Sequence, residues 1–574
     1  MSMGKMVWLA LNAKYSHTSL AIRYLRECVP GSEILELTIN HQLLDILGEI
    51  YDKRPDVLGI ACYIWNIELV KKLLRLLPKV MPELVIICGG PEVSYETEQF
   101  MKEFKVVGAV IRGEGEETVR RLSAQGFAPS DMPGLAWRAA DGSLHIGRDV
   151  TVADLNTVPF AYHGGELDTL KERILYYETS RGCPFSCAYC LSCATKGVRF
   201  LPLERVFHEL DTFVEHDVRQ VKFVDRTFNA KKTHFMPILE HILAYPEDVR
   251  TNFHFEVAID YIDEEALRVL NAMPRGRVQL EIGIQSTNER TLTAVSRVND
   301  WEQIKSHIKR LLAPHNMHLH ADLIIGLPGE GMDSFHRSFN DVYALHVDML
   351  QLGFLKFLKG ASMMELVDRY GYAYMDMAPY EVLRSDALSY DDIRWFHSFE
   401  AVFEYYYNAG RCRHTTEWLI HEVEGGDAFS FWKHLTDWWE KKGFHRVSHS
   451  TRFLYEYLSS FAAERGITDG RMDNLLRYDS LMTDGGRIRP TVLDWNMKRY
   501  EDITAPFWRS DRPSAYIPGY RFTNWRDNRM KYHIEIFDYD IHDIRMPKRK
   551  TAIIFDYTGE SVREIPISLP LEKE

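Results

Sequence analysis

Glu178-Thr-Ser-Arg-Gly-Cys183-Pro-Phe-Ser-Cys187-Ala-Tyr-Cys190 follows directly on the apolar run Ile174-Leu-Tyr-Tyr177. Three cysteines at x3 and then x2 spacing can bring three thiolates to one point. Soft sulfur ligands suit iron–sulfur chemistry, and three of them hold three irons of a cubic four-iron cluster while one iron stays open. Structural zinc usually takes four protein ligands, often as two separated pairs, and no matching downstream pair follows here. Arg181, Gly182 and Pro184 suit a loop leaving a strand. Cys193 adds a fourth sulfur at x2 spacing and is expected to be a spectator.

Outward from this loop, strands and helices alternate. Strands are expected at Ile174–Ser180, Gln220–Asp225, Asn252–Val257, Val278–Ile284, His318–Ile325 and Met349–Lys356. Helical spacing fills Leu203–Val214, Thr233–Leu243, Glu264–Asn271, Trp301–Leu312 and Ser334–Leu345, with Asp263 and Asp300 where caps are wanted. Such repeated strand–helix units build a barrel whose sites collect at the carboxyl ends of the strands. Those ends carry Asp225-Arg-Thr-Phe-Asn229, Glu256, Gly283-Ile-Gln-Ser286 and Gly326-Leu-Pro-Gly-Glu330.

The CxxxCxΦC pattern, with Tyr189 as the aromatic Φ, resembles the signature of radical S-adenosylmethionine (SAM) enzymes. The resemblance implies a partial (β/α)6 barrel over residues 173–360 and a [4Fe-4S] cluster on Cys183, Cys187 and Cys190. It implies that the open iron chelates SAM and that one electron cleaves it to a 5′-deoxyadenosyl radical. By the same resemblance Tyr189, Asp225 and Arg226 lie near the methionine end of SAM. Glu256, Gln285 and Ser286 lie near its ribose and carboxylate, and Ile325 and Gly326 pack on adenine. The family often has Gly-Gly-Glu after the second strand; Val224-Asp-Arg-Thr227 replaces it here, which leaves the partner of the methionine amine open.

Residues 1–125 also alternate strand and helix. Apolar strands run Val7–Leu11, Ile34–Ile39, Val57–Cys62, Leu84–Cys88 and Ala109–Ile111, with helices at Leu20–Val29, Leu43–Tyr51 and Val70–Leu77. Continuous apolar strands between helices imply a parallel, flavodoxin/Rossmann-like sheet covered on both faces. Ligands of such sheets bind at the carboxyl ends of the strands. The loops there hold Asn12, then Tyr63-Ile-Trp65-Asn66, Gly89-Gly90-Pro91-Glu92 and Gly113-Glu114-Gly115-Glu116. Small residues let backbone approach a large flat ligand.

The Gly-Gly-Pro-Glu and Gly-Glu-Gly-Glu pair is similar to the cobalamin (B12) domain that precedes many radical SAM barrels, and those twelve loop residues become its candidate contacts. The Asp-x-His-x-x-Gly run that puts a histidine on cobalt in the mutases is absent; His17 and His41 lack its flanking residues. A lower cobalt face free of protein histidine suits methyl transfer.

Residues 126–172 read as a connector with a hairpin around Ala139-Ala-Asp-Gly142. Residues 361–574 are rich in aromatics, and Phe429, Trp432, Leu435 and Trp439 share one helical face, read as core. Ile534-Glu-Ile-Phe537 and Ala552–Tyr557 form a late strand pair, with Lys548-Arg-Lys550 a solvated turn. His414, His421, Cys412 and Glu417 show no clean metal spacing. With Pro379-Tyr-Glu-Val-Leu-Arg384, this region resembles the mostly helical extension of a cobalamin/radical SAM subgroup of undefined substrate, and is expected to cap the barrel and shape substrate choice.

The 574 residues suffice for roughly three to four domains. A formal charge of −13 argues against general nucleic-acid binding. Eight cysteines, half of them in one short window, do not form a disulfide framework. A labile cluster needs a reducing compartment, so a cytoplasmic setting is expected. The first apolar run is too short for a signal peptide, and no stretch reaches the roughly 18 apolar residues of a membrane span.

The leading expectation is a cobalamin-dependent radical SAM enzyme that methylates an unactivated carbon of a small-molecule or peptide substrate. A low-potential donor such as flavodoxin or ferredoxin would supply electrons. A redox, cyclising or rearranging enzyme with the same cofactors is a second reading, and a non-catalytic cobalamin/Fe–S sensor a third. No residue is assigned to the substrate chemistry.

Overall fold

A computed structural model describes residues 4–194, 197–495, 498–521, 531–559 and 562–569; the side chain of Cys193 lies outside the described residues. The chain divides into two compact units, Met1–Ile393 and Arg394–Glu574.

The first unit holds two parallel sheets. The amino-terminal sheet comprises β1 (Met6–Asn12), β2 (Glu33–Thr38), β3 (Val57–Ala61), β4 (Val85–Gly89), β5 (Val107–Ile111), β6 (Leu135–Arg138) and β7 (Leu144–Ile146), in the order 2-1-3-4-5-6-7. Strands β1–β5 are parallel, whereas β6 and β7 are antiparallel additions at the β5 edge. The hairpin read from sequence as a connector therefore extends the first sheet. Two apolar layers, one on each face, bury the first four strands and β5; Leu9, Leu58 and Val70 lie in one, and Trp8, Ile22 and Ile111 in the other. This explains why these strands read as continuous apolar runs.

The second sheet comprises β8 (Ile174–Tyr177), β11 (Gln220–Phe223), β12 (Asn252–Val257), β13 (Val278–Gln285), β14 (His318–Ile325) and β15 (Met349–Phe354). All pairings are parallel, in the order 15-14-13-12-11-8, so the sheet is open between β15 and β8. A short ribbon, β9 (Ser180–Gly182) with β10 (Val198–Phe200), carries the chain into and out of the cysteine loop. Asp263 and Asp300 cap their helices by accepting from Ala266 N and Gln303 N, as their positions suggest.

The loop after β1 joins the two sheets. Ile174 N donates to Ser16 O at 2.7 Å, Thr18 N donates to Ile174 O, and His17 pairs with Ile174 as a parallel bridge. The residues after β15 stay with this unit rather than with the carboxyl-terminal one. Tyr372 donates to Gly326 O at 2.8 Å, and Tyr380 donates to Glu92 at 2.6 Å. The compact first unit runs on to Ile393, beyond the boundary near residue 360 expected from sequence, and these tyrosines bind the intervening segment to both sheets.

The second unit is mostly helical. Helices Arg413–Glu424, Ala428–Lys441, Thr451–Glu464 and Gly470–Met482 pack around Trp418, Trp432 and Trp439, each buried. The aromatic face of Ala428–Lys441 is core, as its spacing suggests. Its sheet has three strands rather than two: β18 (Tyr532–Phe537), β19 (Thr551–Asp556) and β20 (Arg563–Ile567), after the short β16 (Ala373–Tyr374) and β17 (Val382–Arg384) of the first unit. The third strand escapes a sequence reading because Pro566 and alternating charge interrupt its apolar pattern. His414 lies 2.9 Å from Asp479 and belongs to an ion pair.

Candidate functional site

Cys183, Cys187 and Cys190 line one cleft at the carboxyl end of the second sheet, together with Tyr189, Arg226, Thr227, Glu256, Gln285 and Arg297. The cavity volume is about 170 Å³, below the ~300–1,000 Å³ usual for drug-sized ligands. Gly182 makes the turn into the loop possible. It has a φ of +101°, and a Cβ there would collide with Gly197 O.

The surroundings suit thiolates. Arg297 Nη1 donates toward Cys187 Sγ at 3.7 Å, Ser192 N toward Cys190 Sγ at 3.4 Å, and Cys183 Sγ lies 3.4 Å from the Thr227 hydroxyl. Donors to sulfur stabilise the anionic form that binds iron. Among the described residues no fourth cysteine and no histidine lines the cleft, so the donor set fits a three-sulfur cluster and not a closed zinc site.

Arg297 escaped the sequence reading. It sits on the loop after the helix Glu289–Ala294, is half-buried among polar partners, and donates to the Tyr189 hydroxyl at 3.4 Å and to Gly283 O. The signal that could have found it is two left-handed residues, Gln285 (φ 71°) and Ser296 (φ 56°), which fold the chain back onto the cleft. Left-handed non-glycine residues cluster at sites. Gly283 serves the same end: a Cβ there would collide with the Gln285 amide, which lies back over it.

Of the residues expected near SAM, Tyr189, Arg226, Glu256 and Gln285 reach the cleft, whereas Asp225, Ser286, Ile325 and Gly326 do not line it. Asp225 is fully buried and accepts from Thr179 N at 2.9 Å, Thr179 Oγ1 at 2.8 Å and Ser180 Oγ. It ties the end of β11 to the start of the cysteine loop. Burial outweighs those donors and pushes its carboxyl up to about 6. Ser286 donates to Glu330 at 2.7 Å, in a buried cluster with Ser338. Ile325 is core, and Gly326 faces Val382. Glu256 is the titratable group poised near neutrality: burial, then the charge of Glu281, pushes it up to about 7.

The loops of the first sheet hold a different arrangement. Asn12 donates to His17 O at 2.9 Å and to Glu36 at 3.1 Å. Asn66 donates to Leu11 O and Ala61 O and accepts from Tyr63 N. Pro91 opens a short helix, and the next residue, Glu92, accepts from Tyr380. Glu114 accepts from Val152 N and from Arg199 at 2.9 and 2.6 Å; Glu116 accepts from Arg181 at 2.6 Å. Arg181 also pairs with Glu178 at 2.7 Å and Glu114 at 3.3 Å, two residues before the first cysteine.

Of these polar side chains, expected to face a ligand, Asn12 and Asn66 bond within the first domain, while Glu92, Glu114 and Glu116 reach Tyr380, Arg199 and Arg181 outside it. The reason for the glycines differs likewise: a Cβ on Gly90 or Gly113 would strike the chain's own carbonyls, Cys62 O and Val150 O, while Gly89 and Gly115 meet Ile111. What the loops do present is a flat aromatic face. Tyr63 and Trp65 stack with centroids 4.5 Å apart and planes 5° apart, Trp65 Nε1 donates to Leu11 O, and the indole is 45% exposed.

Three family models match the chain: the B12 binding domain over residues 6–123, the radical SAM superfamily over 177–342, and a protein of unknown function (DUF4080) over 368–555. The cobalamin-dependent radical SAM methyltransferase TokK of Streptomyces tokunonensis is 27% identical over 307 residues, 49% of this chain and 44% of that protein. The anaerobic magnesium-protoporphyrin IX monomethyl ester cyclase of Cereibacter sphaeroides is 22% identical over 395 residues, 64% of this chain and 63% of that protein. The chain thus spans less than two thirds of the length of either relative. Among solved structures, the cobalamin-dependent SAM radical enzyme OxsB, solved with aqua-cobalamin and SAM, shares the fold: TM-score 0.57 at 15% identity, over 85% of this chain and 82% of that one. No helix among the described residues is long and apolar enough to cross a membrane.

Proposed function

We propose that this chain, which belongs to the radical SAM superfamily and carries an amino-terminal B12-binding domain, is a cobalamin-dependent radical SAM enzyme that methylates an unactivated carbon of a small-molecule or peptide substrate. The observation that carries the reading is the convergence of three cysteines, each with a polar partner at its sulfur, on one cleft lined by a half-buried arginine. When bound, the cluster supplies reductive cleavage of SAM and the cobalamin a transferable methyl group.

The chain's own residues have distinct tasks. Cys183, Cys187 and Cys190 ligate the cluster. Arg297 holds the Cys187 sulfur and the Tyr189 hydroxyl, and its guanidinium offers a carboxylate partner to the methionine end of SAM. Glu256, near half-ionised at neutral pH, can donate to or accept from a ribose hydroxyl. The Gln285 amide, whose Oε1 has no hydrogen bond within the protein, is free to meet the same ligand. The Tyr63–Trp65 stack offers a face for the corrin ring, with no histidine required on cobalt. A low-potential protein such as flavodoxin or ferredoxin would supply the electron.

A second reading keeps both cofactors and uses them in redox or cyclisation chemistry; the similarity to a cyclase favours it over the sensor reading. The experiment is anaerobic reconstitution with iron, sulfide and cobalamin, then incubation with methyl-labelled SAM and a reductant. Methylation requires both 5′-deoxyadenosine and label transferred through cobalamin to a product. 5′-Deoxyadenosine without label transfer supports the second reading. Full cofactor loading without 5′-deoxyadenosine overturns the enzymatic proposal.

A further inference from the structure

The interior of the open barrel carries polar groups that the cleft chemistry above does not use. Alternate residues of a strand share a face, and the register places Glu281 of β13 beside Glu256 of β12 on one side and beside His320 of β14 on the other. Asp322 lies two residues beyond His320. His254 lies two residues before Glu256, and its Nε2 is 3.1 Å from Glu281 Oε2. His320 Nε2 is 2.9 Å from Asp322 Oδ1. One donor atom each from Glu281, His320 and Asp322 lies within 4.8 Å of the others.

Two features distinguish this cluster from a surface acidic patch. The side chains of His254 and His320 are only 7% and 9% exposed, and each Nε2 is paired with a single carboxylate, of Glu281 and Asp322 respectively. Beyond those ion pairs, Nε2 of both imidazoles and Oδ1 of Asp322 have no further partner within the protein. Incompletely paired buried polar atoms cost free energy, and a ligand at this cluster would complete their pairing. The committed cation nearby is Lys222, 2.8 Å from Glu281 Oε2.

We infer that Glu281, His320 and Asp322, with His254 in reach, bind a divalent transition-metal ion separate from the cysteine cluster. Imidazole nitrogen with carboxylate oxygen is the donor set of Zn²⁺, Mn²⁺ and Fe²⁺. Glu281 and Asp322 also line the cleft, so the ion keeps coordination positions on the cleft side, where an oxygen donor of a substrate can reach it. The site does not depend on the methylation reading.

The test is a titration of full-length, cluster-loaded protein with Mn²⁺ under anaerobic conditions, following the free-ion signal by electron paramagnetic resonance. One tight site per chain, displaced by Zn²⁺, is expected. Asp322→Asn and Glu281→Gln should each weaken it on the order of 100-fold, while the cluster absorbance stays unchanged. Lys222→Met removes the competing cation and should tighten binding about tenfold, an effect that a damaged fold cannot produce. Absence of a tight site in the unmodified protein overturns the inference, as does a site whose affinity none of these three substitutions alters.

Discussion

The loops of the first sheet and the strand ends of the second are both rich in Glu, Asn and Arg, yet they use them in opposite ways. Around the first sheet the conspicuous polar residues are consumed internally. Asn12, Asn66, Glu92, Glu114 and Glu116 all bond to the chain itself, several of them across to the barrel. Around the cysteine cleft, Arg226, Glu256 and Gln285 line open space, while Arg297 lines it and also bonds to the chain. A motif that reads as a ligand contact can therefore be a clamp between domains. Among those loops, the Tyr63–Trp65 stack keeps an exposed aromatic face.

The largest expected effect sharpens the cleft side of this contrast. Cys187→Ala should abolish cluster iron and bring 5′-deoxyadenosine below detection, read by iron and sulfide assay with product analysis; near-normal iron would break the cluster assignment. Arg297→Ala should retain most iron but lower 5′-deoxyadenosine formation on the order of 100-fold, with the apparent KM for SAM raised and partial recovery in Arg297→Lys.

The clamp side is tested by stability. Arg181→Gln leaves Glu116 and Glu178 without their shared guanidinium, and breaking such a nearly buried network costs about 3–4 kcal/mol. Urea unfolding should report that loss, with cobalamin affinity little changed; the reverse pattern would make Glu116 a ligand contact after all.

Asp225 gives a pH signature. Its folded-state value of about 6 lies above the ordinary aspartate range. Its contribution is therefore fully present below about pH 4 and is lost as pH rises through about 6, worth about 2–3 kcal/mol at most. The stability difference between the native chain and Asp225→Asn, measured by urea melts from pH 4 to 7, should shrink by that amount; a flat difference would refute it. The smallest effect is expected at Trp65→Ala. Stability should fall by about 1 kcal/mol, as the half-buried indole loses its stack on Tyr63 and its bond to Leu11 O, while cobalamin affinity by absorbance titration falls about tenfold.

Much of this architecture was legible in the residues. Continuous apolar strands such as Val85–Gly89 and Val107–Ile111 announce a doubly covered parallel sheet, and the cysteine spacing announces the cleft. Three features were not. The β6–β7 hairpin joins the first sheet through long-range pairing that local propensity does not encode. Arg297 lies 107 residues beyond Cys190, and only the backbone turn at Gln285 and Ser296 returns it to the sulfur. The lumen residues are a pattern that the reading of strand ends passes over. Val278-Gln-Leu-Glu-Ile-Gly-Ile-Gln285 and His318-Leu-His-Ala-Asp322 alternate polar with apolar, which a fully buried parallel strand does not do. That alternation marks an interior lined with polar groups.

The bridge between His17 and Ile174 has a consequence for how the molecule can be dissected. Strand β8 ends its sheet, and the backbone groups on its outer side would otherwise offer a template to any passing extended chain. The loop from the preceding domain occupies that margin, so the amino-terminal half acts as a built-in guard against self-association. A fragment beginning near residue 173 should lose this guard and accumulate as aggregates even where the cysteine loop and every strand of its own sheet are intact.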